Sequence, residues 1–411
     1  MLSFARSVLM RFVWFFLFVG LCTLPLRAEQ TRTIAQWMAL AAQLEMSGQP
    51  LKALKVYGEI AAQRPDYRPA ASAIDRVLAQ MGRPQRAEAV LRYVLRHETR
   101  NRPAYLAALR QLDRAHPFRF SGSFGLLPST NIARSSSQTY LVTDYGTFLI
   151  ENGGDEKTGI GAEFSVSGDW IFHPAPGHRL RLSSVLSGEW YAQRDLRYLQ
   201  PSVTLAYENL LTPDDWGVSA YGRYRAYDGL ADQKTSDYRA YGVVARKRWW
   251  LDAASLPQAS LSGSLLAEYR DYLDKQGYDG RFYQAAGSFS HQAGASQLSY
   301  GLRLGRSDVR LDYHRYRALG LSAGIVRPLG RKVTAGATLR YDWRRYDADF
   351  PLLGEVRHDE TAELSVFASF RQIRIGNSLP KLRCSYTNNR SNVALYRYDS
   401  FDCGLDLDLT F

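Results

Sequence analysis

The chain of 411 residues carries 52 Lys+Arg against 40 Asp+Glu, a net charge of +12, and is 45% apolar and 13% aromatic. That apolar and aromatic content excludes a disordered chain, and a mean hydropathy of −0.31, with no run of about 18 apolar residues beyond Leu24, excludes a bundle of membrane-spanning helices. A membrane β-barrel stays open, because its spans alternate apolar and polar residues, while three cysteines are too few for a disulfide-rich scaffold or a four-ligand zinc site.

Arg6 and Arg11 precede an apolar core, Phe12–Leu24, and Pro25-Leu26-Arg27-Ala28 ends it on a small residue. Residues 1–28 therefore read as a secretory signal peptide, since the core falls short of the about 20 residues that span a bilayer. An uncleaved anchor is the competing reading. Cys22 does not make a lipidation site, because Leu21 stands where a small residue should precede it. The processed chain has a net charge of +9 and keeps Cys384 and Cys403, which are free to pair in an oxidising compartment.

Residues 29–117 show helical spacing of apolar residues and almost no strand signal. Gly48-Gln49-Pro50 and Gly82-Arg83-Pro84 lie 34 residues apart, as do Ala53 and Ala87, and Tyr57 is matched by Leu91. With Trp37 before Ala53 and Pro65 after it, the pattern resembles the tetratricopeptide repeat: small residues where two helices touch, a turn, and a Pro that ends the pair. Two repeats and a closing helix, Pro103–Ala115, are expected, against a generic pair of helical hairpins. Such arrays present a groove to peptides or partner proteins. This region holds 14 basic and 8 acidic residues. An exported chain meets little nucleic acid, so the excess reads as a solvated face that attracts an acidic partner or the membrane surface.

From Phe118 the period switches to two. Ile160, Phe164, Val166, Trp170 and Phe172 alternate with Glu163, Ser165, Ser167 and Asp169; Val333, Ala335, Ala337, Leu339, Tyr341 and Trp343 alternate with Thr334, Thr338, Arg340, Asp342 and Arg344. Several such segments run far beyond the about 5–6 residues of soluble strands. Short links such as Pro174–Gly177 and Pro328–Arg331 alternate with longer polar ones such as Pro128–Thr158 and Asp347–His358. Residues 118–411 thus read as an outer-membrane β-barrel of fourteen antiparallel strands. Tyr238–Trp250 and Arg281–His291 have ambiguous facing, which leaves twelve or sixteen open. The last strand, Ala394–Phe411, puts Phe401, Leu405, Leu407, Leu409 and Phe411 on one face, and a terminal Phe on an alternating strand resembles the signal read by the barrel assembly machinery.

No catalytic, cofactor or metal set emerges. The His residues do not pair at helical spacing, and no nucleophile elbow, zinc-protease or phosphate-loop motif appears. Lumen-facing charges draw more attention: Arg340, Asp342 and Arg344 beside Glu363 and Arg371, and Lys381 opposite Asp406. Buried charges must be paired, so they read as a salt-bridged wall or as a polar conduit that a partner chain touches. If the last hairpin centres on Ala394, Cys384 and Cys403 stand opposite each other within disulfide reach, as a bridge or as two free thiols.

The first barrel strand runs into Pro128-Ser129-Thr130-Asn131-Ile132, similar to a P-x-x-N-I segment. The last hairpin reads Ser385-Tyr386-Thr387 and then Ser391-Asn392-Val393-Ala394-Leu395-Tyr396-Arg397-Tyr398-Asp399, similar to S-Y-T followed by S-N-x-x-x-Y-x-Y-D. With the order of regions, these motifs resemble the surface lipoprotein assembly modulators (Slam) of Gram-negative bacteria. Ala133 departs from the pattern where a second Asn is expected, and the helical region is shorter than the family's. The resemblance implies a translocation component of the outer membrane, with its helices in the periplasm, that delivers a specific lipoprotein or secreted protein to the cell surface. Its partners would be that substrate, outer-membrane lipid, the barrel assembly machinery and a periplasmic chaperone. Two other readings compete: a polysaccharide-export or general porin with periplasmic tetratricopeptide repeats, and an outer-membrane lipase or protease.

Overall fold

The computed structural model describes residues 33–410, apart from residues 65–66, 68, 71–72, 75, 78–86, 90, 93–94, 96–101, 137, 139, 144–145, 150–157, 229–235, 252–257, 331, 352, 371, 374 and 376–377. The expected signal peptide (residues 1–28), Gly82, Arg371 and Phe411 lie outside the described residues. The chain divides into two compact units, residues 1–74 and 75–411, so the division falls inside the helical region expected over 29–117.

The first unit holds helices α1 (Ile34–Met46) and α2 (Pro50–Gln63). The Thr33 side chain and Gln36 cap α1 reciprocally, which satisfies two of the amides a helix start leaves orphaned. Gly48 turns the chain with φ +70, a conformation that glycine adopts without strain. Pro50 opens α2 where its missing N–H costs nothing. Ala41, Ala53 and Tyr57 are buried, and the Tyr57 hydroxyl donates to Glu45 Oε2 at 3.1 Å. Trp37 is half-buried. The second unit opens with helical residues that include Ala87, Glu88, Leu91, Arg92 and Leu95, followed by α3 (Arg102–Ala115).

The remainder is a closed antiparallel barrel of fourteen strands. These are β1 (Phe118–Ser129), β4 (Gly159–Ala175), β5 (His178–Trp190), β6 (Tyr198–Asn209), β7 (Trp216–Tyr227), β8 (Tyr238–Leu251), β9 (Ala259–Tyr272), β10 (Gly280–Ala293), β11 (Ser296–Val309), β12 (Tyr316–Leu329), β13 (Val333–Asp349), β14 (Val356–Phe370), β15 (Lys381–Ser391) and β16 (Tyr398–Thr410). Between β1 and β4 a separate hairpin forms from β2 (Tyr140–Thr143) and β3 (Gly146–Leu149). Each barrel strand pairs with its neighbour in sequence, and β1 closes the ring on β16, which leaves no edge with unpaired backbone groups. Closure demands a close approach at that seam: a Cβ on Gly404 would lie 2.2 Å from the Leu126 carbonyl oxygen.

The two-residue rhythm becomes two surfaces. Ile160 (69%), Leu265 (63%) and Val166 (57%) are exposed on the outside together with Phe120, Trp170, Val203, Leu304 and Leu364. A belt this apolar and continuous calls for lipid around it. The doubtful strands β8 and β10 both belong to the barrel, with Tyr241, Val243 and Tyr283 outward. Seven links join strands at the end where β1 finishes. Four of them, at 194–196, 276–278, 312–314 and 394–396, contain a single turn of 3-10 helix. The end taken from the sequence to carry long polar links therefore mixes extended loops with tight turns. Ala394–Tyr396 belongs to such a turn, so the last strand begins at Tyr398.

Candidate functional site

Two groups of contacts, both within the second unit, stand at the two ends of the barrel. At the short-turn end, helical residues from the 87–95 stretch and from α3 meet inward-facing residues of β1, β4, β5 and β6. Asp113, with a side chain 0% exposed, accepts from Arg119, and His173 Nε2 lies 2.7 Å from its Oδ2. Arg179 Nε sits 3.0 Å from the same oxygen. Arg179 Nη1 also donates to Glu88 Oε1 at 2.6 Å, and Arg119 pairs with Glu88 as well. Arg92 bridges Glu88, at 2.7 Å, to Glu208 on the wall. The guanidinium of Arg102 donates to the carbonyls of Leu95 and Leu210, and so ties the start of α3 to the β6–β7 link.

Burial by itself raises the Glu88 carboxyl, but the guanidiniums of Arg179, Arg92 and Arg119 outweigh it and hold the group well below the usual carboxylate range. Charges this deep are tolerated only because they neutralise one another; deleting one partner leaves the rest buried and unpaired, at a cost of about 3–5 kcal/mol. No sequence motif pointed to this cluster. Its members are spread from Glu88 to Glu208 and meet only when the helices enter the barrel mouth. The one available sign was a set of inward charges at the short-turn ends of β1, β4, β5 and β6, too many for a wall that had to pair only with itself.

At the opposite end the four tight turns share a construction. Arg197 Nε donates to the Tyr191 carbonyl at 2.7 Å and its Nη2 to Ala192 at 3.0 Å. Arg315 repeats this with Val309 (2.6 Å) and Arg310 (3.2 Å), and Arg397 with Ser391 (2.5 Å) and Asn392 (3.1 Å). The fixed fork of a guanidinium suits two carbonyls at once. In the fourth turn Asp279 serves instead, its Oδ1 accepting the Tyr272 amide at 2.8 Å. The legible signal was Arg-Tyr at the start of a strand: Arg197-Tyr198, Arg315-Tyr316 and Arg397-Tyr398.

An arc of ring contacts links these turns. Tyr272 meets Tyr278 (5.9 Å between centroids), Tyr278 meets His314 (4.4 Å), His314 meets Tyr313 (4.4 Å), Tyr313 meets Phe350 edge-on (6.1 Å), and Phe350 meets Tyr396 (5.8 Å). Arg357 lies over Tyr396 at 3.0 Å and Tyr346 at 4.4 Å while donating to Asp359 at 2.6 Å. Rings in these arrangements attract beyond their apolar area. Burial, and then the charge of Arg357, pull the His314 imidazole down to about 4.

The residues singled out in the sequence fall in three places. Asn131 meets the last hairpin at the seam: its amide donates to the carbonyls of Ser135 (2.8 Å) and Asp399 (3.1 Å), and Thr130 N donates to the Phe401 carbonyl at 3.0 Å, whereas Pro128 is in register with Ile160 and the Ile132 side chain lies beside Gly159, both on β4. Asn392 Nδ2 donates to the Val356 carbonyl (3.1 Å), and its Oδ1 accepts from His358 N (2.8 Å). Ser391 Oγ accepts from Val393 N at 3.2 Å. Tyr396 joins the aromatic arc, and Tyr398 pairs with Asn389. The motif loops thus satisfy backbone groups of the outer turns. On the walls, Arg340 reaches Glu363 at 3.3 Å, but Asp342 pairs with Arg303 at 2.5 Å, and Arg344 stacks on Tyr316 at 5.7 Å. Lys381 is in register with Asp406, yet its ammonium lies over Phe367 (4.9 Å) and Asp406 takes Arg383 (3.4 Å). Arg383, in register two residues away at Gly404, reaches Asp406 diagonally. Cys384 and Cys403 are opposed in the register and their sulfurs are joined. Among the described residues no cluster of His, Cys, Asp and Glu could hold a metal ion.

Residues 118–411 match the model of the surface lipoprotein assembly modifier family. The chain belongs to that family. Surface lipoprotein assembly in general is therefore its field of action, and its barrel, with an apolar belt outside and a polar lumen inside, belongs to the outer membrane. Family and fold both point to a membrane assembly barrel. No curated protein sequence matches the chain. Among solved structures, OccK1 (OpdK) of Pseudomonas aeruginosa is similar at 9% identity and TM-score 0.38, over 72% of this chain and 99% of that one. CdiB of Acinetobacter baumannii is similar at 10% and 0.37 over 71% and 60%. A loop L8 deletion mutant of OmpT, an outer membrane protein of Vibrio cholerae, is similar at 6% and 0.35 over 72% and 99%.

Proposed function

We propose that this surface lipoprotein assembly modifier is a translocation component that passes a specific lipoprotein or secreted protein through the outer membrane. The observation that supports the reading is what stands at the two ends of the barrel: buried ion pairs hold helical residues in one mouth, and linked aromatic rings join the turns of the other. A general porin needs a standing opening; a device that acts on one cargo needs a lumen that opens only when the cargo engages it. In this reading residues 1–28 direct export. The short-turn end and the tetratricopeptide-like helices with Trp37, Gly48, Ala53, Tyr57, Gly82 and Ala87 face the periplasm, where cargo arrives with or without a chaperone. The barrel assembly machinery inserts the barrel into outer-membrane lipid, and Cys384–Cys403 pins its last hairpin.

The test is genetic. Deleting the gene is expected to strip one protein from the cell surface while its periplasmic level holds or rises. An unchanged surface proteome overturns the reading. Planar-bilayer recording separates it from a polysaccharide or general porin: the purified protein should be mostly closed, whereas large steady conductance supports the porin.

A further inference from the structure

The ion cluster fills the short-turn mouth unevenly. It binds the helices to β1, β4, β5 and β6, but between Arg92 and the wall formed by β8, β9 and β10 a cavity of about 320 Å³ remains. Arg246, Arg248, Ser262, Ser264 and Ser288 line it. Its lining residues are cationic in excess, Arg92, Arg246, Lys247 and Arg248 against Glu208 and Asp215. The Glu208 carboxylate at its edge is already surrounded by Arg92, Arg179 (3.3 Å), Arg181 (3.7 Å) and Arg246 (2.7 Å). The side chain of Arg246 remains 54% exposed despite that contact. Arg248 has no carboxylate partner among the described residues; its Nε donates to Ser262 Oγ at 3.2 Å and its guanidinium lies 5.6 Å over the Trp250 ring.

The spacing of the two arginines matters. They stand at i and i+2 on one strand, so both project into the lumen, about 6–7 Å apart along it. Alternate side chains of any extended polypeptide have that same repeat. The wall they overlook is smooth and uncharged: inward positions of β9 and β10 include Ser260, Ser262, Ser264, Gln284, Ala286, Ser288 and Ser290. Hydroxyls and short side chains let a chain lie close to the wall without competing for its charges.

We propose that this cavity is a docking site for an extended polypeptide segment with acidic residues at alternate positions, gripped by Arg246 and Arg248. The inference rests on the translocation reading and adds to it the chemistry of the cargo segment that first enters the lumen. Arg248 makes the main new contact, because its fork is open. Arg246 is shared with Glu208 and contributes as the cargo draws it into the cavity. Contacts of this kind are desolvated only on one side, so affinity should weaken as salt is added.

The experiment uses the full chain in detergent micelles and a fluorescent short peptide of alternating Glu and Ser, read by anisotropy. The acidic peptide is expected to bind about tenfold or more tightly than the same peptide with Gln for Glu, and a Lys–Ser peptide not to bind. Arg248→Glu should remove that preference. Ser288→Trp, which fills the cavity without changing charge, should weaken binding by a similar factor. Arg248 supports no buried carboxylate, so its replacement orphans no charge. Equal affinity for the Gln peptide, indifference to both substitutions, or equal competition by free glutamate at the same carboxylate concentration overturns the proposal. The two readings fail separately. If the acidic peptide does not bind but gene deletion still strips a surface protein, the docking site falls and the translocation function stands. If the peptide binds while the surface proteome is unchanged by deletion, the function falls and the site stands.

Discussion

Asp113 and Glu88 hold helical residues against the barrel wall through buried ion pairs. Asp113 serves Arg119, Arg179 and His173 from a fully buried position, so Asp113→Asn removes the charge that two guanidiniums and an imidazole share. The helical segment is then expected to lose about 3–5 kcal/mol of docking energy, seen as frequent openings in bilayer recordings and faster proteolysis of residues 87–115. A variant as closed and as protected as the wild type would refute this role. Glu88, being depressed, contributes fully above its ordinary value of 4.5 and loses that contribution only as pH falls through its lowered value. Mild acid should therefore leave this helical segment docked. His314 also loses stability on acidification, but at milder pH. Its folded value near 4 lies below the ordinary 6.5, so between those two pH values the unfolded loop takes a proton that the folded one refuses. The stability of the arc is flat above about pH 6.5 and falls as pH drops toward 4. Hydrogen exchange at residues 310–315 should quicken over that window, and His314→Phe should abolish the change; exchange independent of pH in the wild type would contradict it. None of these roles was legible from residue type, because a buried aspartate and a surface one have the same letter.

The elements follow rules that are local in the sequence but are completed by their neighbours. Strand alternation set which side of each barrel strand is apolar, and it held for β8 and β10 once closure removed their ambiguity. The hairpin of β15 and β16 carries the Cys384–Cys403 pair, 19 residues apart. In the chain-entropy account such a link stabilises by about 3 kcal/mol. The double Cys→Ser variant should unfold at correspondingly lower denaturant, whereas reductant should shift only the wild type. Free thiols that alkylate without reductant would show that the two do not pair. At the seam, Gly404→Ala would press a methyl against the Leu126 carbonyl. The ring can then close only by shifting the ladder, so folded yield on an unheated gel should drop sharply; normal yield would mean the seam has slack. The tight turns were only half legible. Their Arg-Tyr dipeptides are visible, but the carbonyls they hold belong to residues at the end of the preceding strand, and the turn must already be folded for the two to meet.

At the scale of the whole molecule, an apolar belt encloses a charged lumen, with different contacts at its two ends: paired buried charges at one, stacked rings and guanidiniums at the other. The two ends should therefore respond to different perturbations, carboxylate substitution for the first, mild acid for the second. The sequence by itself determined the barrel and its belt and bounded the strand number between twelve and sixteen, because a period of two over long segments is a local property that no distant contact has to complete; ring closure fixed the count at fourteen. It also carried the family, through short motifs that the structure shows stapling the outer turns. Only the tertiary structure decided which groups meet at the two ends of the barrel. Glu88, Asp113, Arg179 and Glu208, and likewise Tyr278, His314, Phe350 and Tyr396, are separated by tens of residues. Their chemistry exists only after ring closure has set the strands' rotation and brought those side chains within a few ångströms of one another.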